Sequence, residues 1–183
     1  MTSYFAGRDE LVGRQRFRIF KFAPGRPAAE AGGAGKERSA AASASPAAAA
    51  PTAPGAVLPS FALPVTTTRI VAGAIATRDF MPVHHDRDYA RKQGAPDVFM
   101  NILTTNGYVA RYVTDWAGSE ARLRRIQIRL GGPATPGTTL RFDGRVASER
   151  IEDRERVLEV ALQAVNELGL HASGTVELTL PTA

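Results

Sequence analysis

Cysteine is missing altogether. Neither a disulfide framework nor a thiolate metal site can form, and the absence is compatible with a reducing compartment. Histidine is scarce as well: the chain has three, His84, His85 and His171. Adjacent histidines rarely converge on one ion and no further ligand cluster accompanies them, so no metal is expected. No apolar run approaches the roughly 18 residues that a membrane-spanning helix needs. The first residues lack the continuous apolar stretch of a secretory leader. A cytoplasmic location with no membrane partner is the expectation.

An excess of charge on most of the chain is lacking too. Of the net +5, residues 1–55 hold +4, from eight basic against four acidic residues; the remainder carries only +1. A nearly neutral body does not make a broad nucleic-acid footprint, so no nucleic-acid partner is expected.

What is present falls into two parts. Residues 1–55 comprise a basic, strand-favouring island and an alanine-, proline- and glycine-rich tail. In the island, residues 10–22 mix aromatics, β-branched residues and arginines, which favours an extended segment. In residues 27–55 the small side chains bury too little surface to offset chain entropy, and prolines interrupt the polyalanine, so a flexible tether is expected. Residues 56–183 are expected to form one folded body. There, residues 66–76 read as a strand and residues 86–93 as a short helix stopping at Gly94. A longer helix is expected over residues 97–116, with Asp97 as its cap and apolar residues Phe99, Ile102, Leu103, Val109, Tyr112 and Val113 at helical spacing. Gly107 inside that helix costs about 1 kcal/mol relative to alanine and suggests a close packing contact. Four strands come next, over residues 122–130, 138–148, 156–166 and 171–180, the last two joined by a hairpin turn at Asn166-Glu167-Leu168-Gly169. A long helix against one antiparallel sheet is an α+β two-layer arrangement.

The stretch richest in chemistry is Arg78-Asp79-Phe80-Met81-Pro82-Val83-His84-His85-Asp86. An acid, a short irregular span with a proline, and a histidine just before a helix can aim Asp79 and His84 at one small volume. Carboxylate and imidazole can each exchange a proton near neutral pH, which suits polarising a water molecule. The competing reading is an Asp and a His that only cap a helix. His85 would project away from its neighbour, and Arg122, Arg124, Arg125 and Arg129 either meet phosphates or form a solvated strand face.

This stretch resembles the motif of MaoC-like hydratases of the (R)-specific enoyl-CoA type: an aspartate, then asparagine-proline-apolar-histidine-variable-aspartate. Tyr89-Ala90-Arg91-Lys92-Gln93-Gly94 is similar to the segment just after the motif in that family. Asn101-Ile102-Leu103-Thr104 and Arg111-Tyr112-Val113-Thr114-Asp115-Trp116-Ala117-Gly118 resemble the branch of that family that hydrates steroid (cholesterol) side-chain enoyl-CoA thioesters. The resemblance covers about residues 56–180 and implies a hot-dog fold, a curved antiparallel sheet wrapped around one long helix. It implies Asp79 and His84 as the catalytic pair, which delivers a water across the double bond. It implies Asn101 and Ile102 as the place where backbone N–H groups meet the thioester oxygen and substrate. Two departures accompany it: Met81 stands where many members have asparagine, and Asn101-Ile102 where many have His-Gly. Both fit a wider site in a specialised branch.

No cofactor is implied, coenzyme A being part of the acyl-CoA substrate. A lone hot-dog unit leaves a sheet edge and half a pocket open, so pairing is expected, with a second MaoC-like subunit in a heterotetramer or as a homodimer. Two alternatives stay open. A hot-dog acyl-CoA thioesterase would need a carboxylate on the long helix, Asp97 at its edge being the nearest option. A non-catalytic acyl-CoA-binding subunit of a hydratase complex would keep the pocket but leave Asp79 and His84 apart or unsolvated.

Overall fold

The computed structural model describes the strands β1 (Thr2–Ala6) and β2 (Glu10–Gln15) together with residues 52–182. The chain divides into two units, Met1–Ser43 and Ala44–Ala183. In the first, β1 and β2 pair antiparallel, with an irregularity in register between Tyr4 and Phe5. The extended segment expected over residues 10–22 is thus β2 for its first six residues, and it has found a partner strand. Its remainder, and residues 27–51 of the expected tether, lie outside the described residues.

In the second unit five strands form one antiparallel sheet in the order β3 (Val57–Pro64), β5 (Thr139–Glu152), β6 (Glu155–Asn166), β7 (Gly169–Pro181) and β4 (Arg122–Leu130). Three helices, α1 (Thr67–Ala76), α2 (Arg87–Lys92) and α3 (Ile102–Ala117), lie between β3 and β4 in the chain. Side chains two apart in a strand share a face. Leu140, Phe142 and Val146 of β5, Leu158, Val160, Leu162 and Ala164 of β6, and Ala172, Val176 and Leu178 of β7 are buried in one cluster. The register sets these faces opposite one another: Phe142 beside Ala164, Val146 beside Val160, Val160 beside Val176 and Leu158 beside Leu178. Val109, Tyr112 and Val113 of α3 belong to the same cluster, three positions at helical spacing. Each such Val, Leu or Phe withdrawn from water contributes about 1.5–3 kcal/mol, which is what holds helix against sheet.

The backbones of β4 and β7 approach closely where Gly174 lies beside Gln127 and Ile128. A Cβ on Gly174 would lie 1.9 Å from the Gln127 carbonyl oxygen, so only glycine admits this approach. The four strands expected after residue 118 all form. β3, unforeseen, adds the fifth, closing one edge beside β5.

Two local expectations are overturned. Residues 67–76 are the helix α1 and not a strand. The β-branched residues of that stretch suggested extension, but Thr66 caps a helix by accepting the Arg69 N–H at 3.1 Å, and Ile70 and Ala74, four apart, form its buried stripe. The cap of the long helix is Asn101, not Asp97: the Asn101 carboxamide oxygen accepts the Thr104 N–H at 2.9 Å. Asp97 is held instead by Arg87, 2.9 Å away, and residues 98–100 belong to no helix or strand. Gly107 has nothing within 4 Å of its would-be Cβ; the close helix contact is made by Gly73 of α1, whose would-be Cβ lies 2.4 Å from the Thr104 hydroxyl oxygen.

Candidate active site

Asp79 is delivered by the way α1 ends. Thr77 closes the helix, and Arg78 comes after it in the left-handed region at φ 55°. The Asp79 N–H then reaches the Ala74 carbonyl at 2.9 Å and the Arg78 N–H the Ile75 carbonyl at 3.0 Å. This paired closure is the Schellman arrangement, usually built with glycine at the left-handed position. An arginine there stores backbone strain of about 1 kcal/mol, retained by the closure around it. The result is an abrupt turn that lifts Asp79 out of the helix line.

His84 comes from the other side. Pro82 starts a single 3₁₀ turn, Pro82–His84, and Asp86 caps α2 by accepting the Tyr89 N–H at 2.9 Å. Proline tolerates the first helical position because its missing N–H has no intrahelical partner there. The turn points His84 inward, where its ring stands edge-on to Phe99 at 5.1 Å between centroids. Its Nδ1 lies 2.7 Å from the Phe99 carbonyl oxygen. A carbonyl only accepts, so Nδ1 carries the proton and Nε2 of the neutral ring presents a lone pair.

These two routes converge. His84 Nε2 is 3.3 Å from Asp79 Oδ2, with the histidine side chain 6% exposed and the aspartate 23%. Both atoms are acceptors when the ring is neutral and the carboxyl ionised, so the contact needs a shared proton or a bridging donor. A small hydroxylic molecule at this place would be gripped from two sides by groups able to exchange its proton.

Asn101 completes the arrangement. Its Nδ2 donates to Asp79 Oδ2 at 3.0 Å and to Thr77 Oγ1 at 2.8 Å. Thr77 in turn donates to the Gly73 carbonyl at 2.7 Å. With its carboxamide oxygen taken by the Thr104 N–H, the Asn101 side chain has both donors and its acceptor engaged. It holds Asp79; it has no spare donor for a substrate. Ile102 and Leu103 occupy the first turn of α3, where N–H groups have no intrahelical acceptor and the helix dipole favours negative charge. The Asn101 amide ties that helix end to Asp79.

The other residues singled out in the sequence lie elsewhere. His85 is exposed. Asp97 precedes α3, and the Arg87 hydrogen bond holds its carboxyl below the ordinary value against the opposing pull of burial. Arg124 pairs with Glu152 and Glu155 at the rim of the sheet. Nothing in the sequence pattern announced Asn101 as the holder of Asp79, nor Phe99 as the acceptor that sets the His84 tautomer. One is a side-chain contact over 22 positions, the other a contact through a backbone carbonyl.

The MaoC like domain family matches residues 50–167. The chain is 47% identical over 126 residues to the 3-oxo-4,17-pregnadiene-20-carboxyl-CoA hydratase beta subunit of Mycobacterium tuberculosis, an overlap of 69% of this chain and 95% of that one. The crystal structure of the ChsH1–ChsH2 complex from the same organism holds a chain that superposes with a TM-score of 0.66 at 47% identity, over 70% of this chain and 98% of that chain. The fold also matches R-hydratase PhaJ1 from Pseudomonas aeruginosa, with a TM-score of 0.62 at 17% identity over 71% of this chain and 83% of the other. From the match over the folded body and the shared sheet-and-helix architecture, the chain belongs to the MaoC-like family and has its hot-dog fold.

Proposed function

We propose that the protein is an enoyl-CoA hydratase that adds water across an α,β-unsaturated acyl-CoA, with Asp79 and His84 as the catalytic pair. The observation that carries this reading is the 3.3 Å approach of His84 Nε2 to Asp79 Oδ2, beside the first turn of α3. A water held between the two loses a proton to one of them as its oxygen bonds to the β-carbon of the thioester. The electron pair of the double bond moves toward the thioester carbonyl, whose growing negative charge would be received by backbone N–H groups at the start of α3, near Asn101 and Ile102. The pair then returns a proton to the α-carbon, so one H and one OH have been added. Coenzyme A takes part as the carrier of the acyl group, and no step asks for another cofactor or a metal.

The thioesterase alternative loses its support. The only acid in α3 is Asp115, near its far end and paired with Arg111 at 3.1 Å, and Asp97 is engaged before the helix begins. The non-catalytic alternative has Asp79 and His84 apart or unsolvated; against it stand their 3.3 Å approach and the 23% exposure of the Asp79 side chain.

The substrate we infer is a bulky, steroid side-chain enoyl-CoA. It rests on the 47% identity to the mycobacterial subunit and on Phe80 and Met81, which directly succeed Asp79 and are 64% and 54% exposed. Apolar side chains at the mouth of a polar pair are suited to an apolar acyl group or to a second subunit that walls it in. We infer such a subunit, a second MaoC-like chain in a heterotetramer, with a homodimer as the other outcome. No helix among the described residues is long and apolar enough to cross a membrane; a cytoplasmic site of action is part of the proposal.

Hydration of steroidal and straight-chain enoyl-CoA substrates, measured with and without a candidate partner, tests the reading. Asp79→Asn or His84→Ala should lower turnover by about 10²–10⁴, the usual value of a positioned acid/base group, with the fold intact by circular dichroism. Turnover retained in either variant overturns the assignment.

A further inference from the structure

His171 belongs to none of the groups above, yet it is 2% exposed and fully hydrogen-bonded. It sits on β7, and its Nδ1 lies 2.9 Å from the Gly132 carbonyl oxygen. The acceptor places the ring proton on Nδ1, so Nε2 accepts. Its donor is the Thr105 hydroxyl, 3.0 Å away, on a residue with no exposed surface. Thr105 has one hydroxyl proton and two acceptors in reach, the His171 lone pair at 3.0 Å and the Asn101 carbonyl oxygen at 3.2 Å; His171 takes it, because its Nε2 has no proton of its own to offer the hydroxyl. Thr105 remains tied to Asn101 through its N–H, 3.1 Å from the Asn101 carbonyl oxygen.

The loop that receives His171 also grips the other side of Asn101. The Met100 N–H donates to the Ala134 carbonyl at 3.0 Å. The loop itself is fixed: the Gly131 and Gly132 N–H groups each bond β7 carbonyls at 2.8 Å, and Asn166 Nδ2 donates to the Pro133 carbonyl at 3.0 Å. The residue before Asn101 is therefore held directly by residues 131–134, and a residue in the turn after it is held through His171. Between these two points stands the side chain that donates to Asp79 Oδ2.

We propose that His171, acting through Thr105, is a positioning residue for the reaction, fixing the first turn of α3 and so the place at which Asn101 holds Asp79 against His84. It rests on the hydratase reading of that pair. A His buried among apolar neighbours and bonded at both nitrogens is costly to keep unless both bonds form, so the ring orientation is set on both sides. Burial lowers its pKa, which keeps it neutral and Nε2 an acceptor at pH 7.

The test is Thr105→Val, which removes the hydroxyl at nearly constant volume, against Thr105→Ser, which keeps it, in the full chain with whatever partner gives activity. The expected result is a kcat about tenfold lower for Thr105→Val, KM within about twofold, and Thr105→Ser within about twofold of the parent, as one lost neutral hydrogen bond acting on geometry would give. In parallel, nitrogen-15 NMR reads the Asn101 side-chain amide and the His84 ring: both move in Thr105→Val and stay in Thr105→Ser. Unchanged kcat with unmoved resonances overturns the proposal, as does a KM rise with kcat intact. If the parent chain hydrates no enoyl-CoA, the functional reading fails, and the NMR arm alone decides the positioning role. If Thr105→Val does not fold, Thr105→Ala carries the same two readouts.

Discussion

Asn101→Asp separates two tasks that one side chain performs. As a helix cap the aspartate is equivalent, because its oxygen can still accept the Thr104 N–H, and Asn and Asp rank together at that position. Toward Asp79 it is the opposite of the native residue. An N–H donor 3.0 Å from Asp79 Oδ2 is replaced by an oxygen carrying negative charge. Two like charges at that distance repel by about 5–6 kcal/mol at an effective dielectric constant of about 20. The pair has a cheaper escape, which is to bind one proton. Protonating a carboxyl with an ordinary pKa near 4 costs about 4 kcal/mol at pH 7, so the destabilisation is capped near that value. It should shrink by about 1.4 kcal/mol for each unit the pH is lowered, vanishing near pH 4. The sign comes from linkage: the folded variant binds a proton that the unfolded chain releases, so it loses stability as pH rises. Urea unfolding of parent and variant between pH 5 and pH 8 reads the slope, and hydratase turnover at pH 7 should fall at least about 10²-fold because the proton now sits on the pair. Asn101→Ala should instead cost a pH-independent amount of about 1 kcal/mol from the lost cap, plus the lost bonds to Thr77 and Asp79. A flat pH dependence for Asn101→Asp, or full activity, would refute the account of Asn101 as the holder of Asp79.

The same geometry sets three further outcomes. Arg78→Gly should stabilise the fold by about 1 kcal/mol in urea melts, because glycine adopts the left-handed conformation at φ 55° without strain; a loss would show that the Arg78 side chain contributes more than its backbone costs. Gly73→Ala should destabilise by about 1–3 kcal/mol through the clash with Thr104, and adding Thr104→Ala should recover most of the loss; a purely additive double variant would contradict the contact between α1 and α3. For His171, burial lowers the folded pKa below that of the unfolded chain, so stability present above about pH 6.5 is lost as pH falls toward the folded value. His171→Gln should remove that part of the acid slope, and an unchanged slope between pH 7.5 and pH 5 would place the titration elsewhere.

The tracts that declared themselves in the sequence are those whose pattern is local. Val109, Tyr112 and Val113 are spaced for a helix, the alternation in residues 122–130 is spaced for a strand, and Asn166-Glu167-Leu168-Gly169 is a hairpin turn; β6 and β7 pair across it, Asn166 beside Gly169. The nearness of Asp79 and His84 was legible only as one of two readings, since a short span with a proline can turn or run extended; the 3₁₀ turn Pro82–His84 decided it. Residues 67–76 misled because β-branched threonines favour a strand by propensity and a helix by capping, and the burial of Ile70 and Ala74 against the rest decided the matter. Asp97 and Asn101 are equally good caps on paper; Arg87 took the first and left the second.

Sequence alone, then, determined the periods of the main strands and of the long helix, the stretch that holds the proposed catalytic pair, and through the motif the family. Tertiary structure decided what those residues touch: Asn101 on Asp79, Phe99 on His84, Thr105 on His171, separated by 22, 15 and 66 positions. The physical reason is reach. Backbone periodicity and capping act over about four residues, so a sequence displays them, whereas a hydrogen bond between distant segments exists only after the hydrophobic cluster has set helix against sheet to within a few tenths of an ångström.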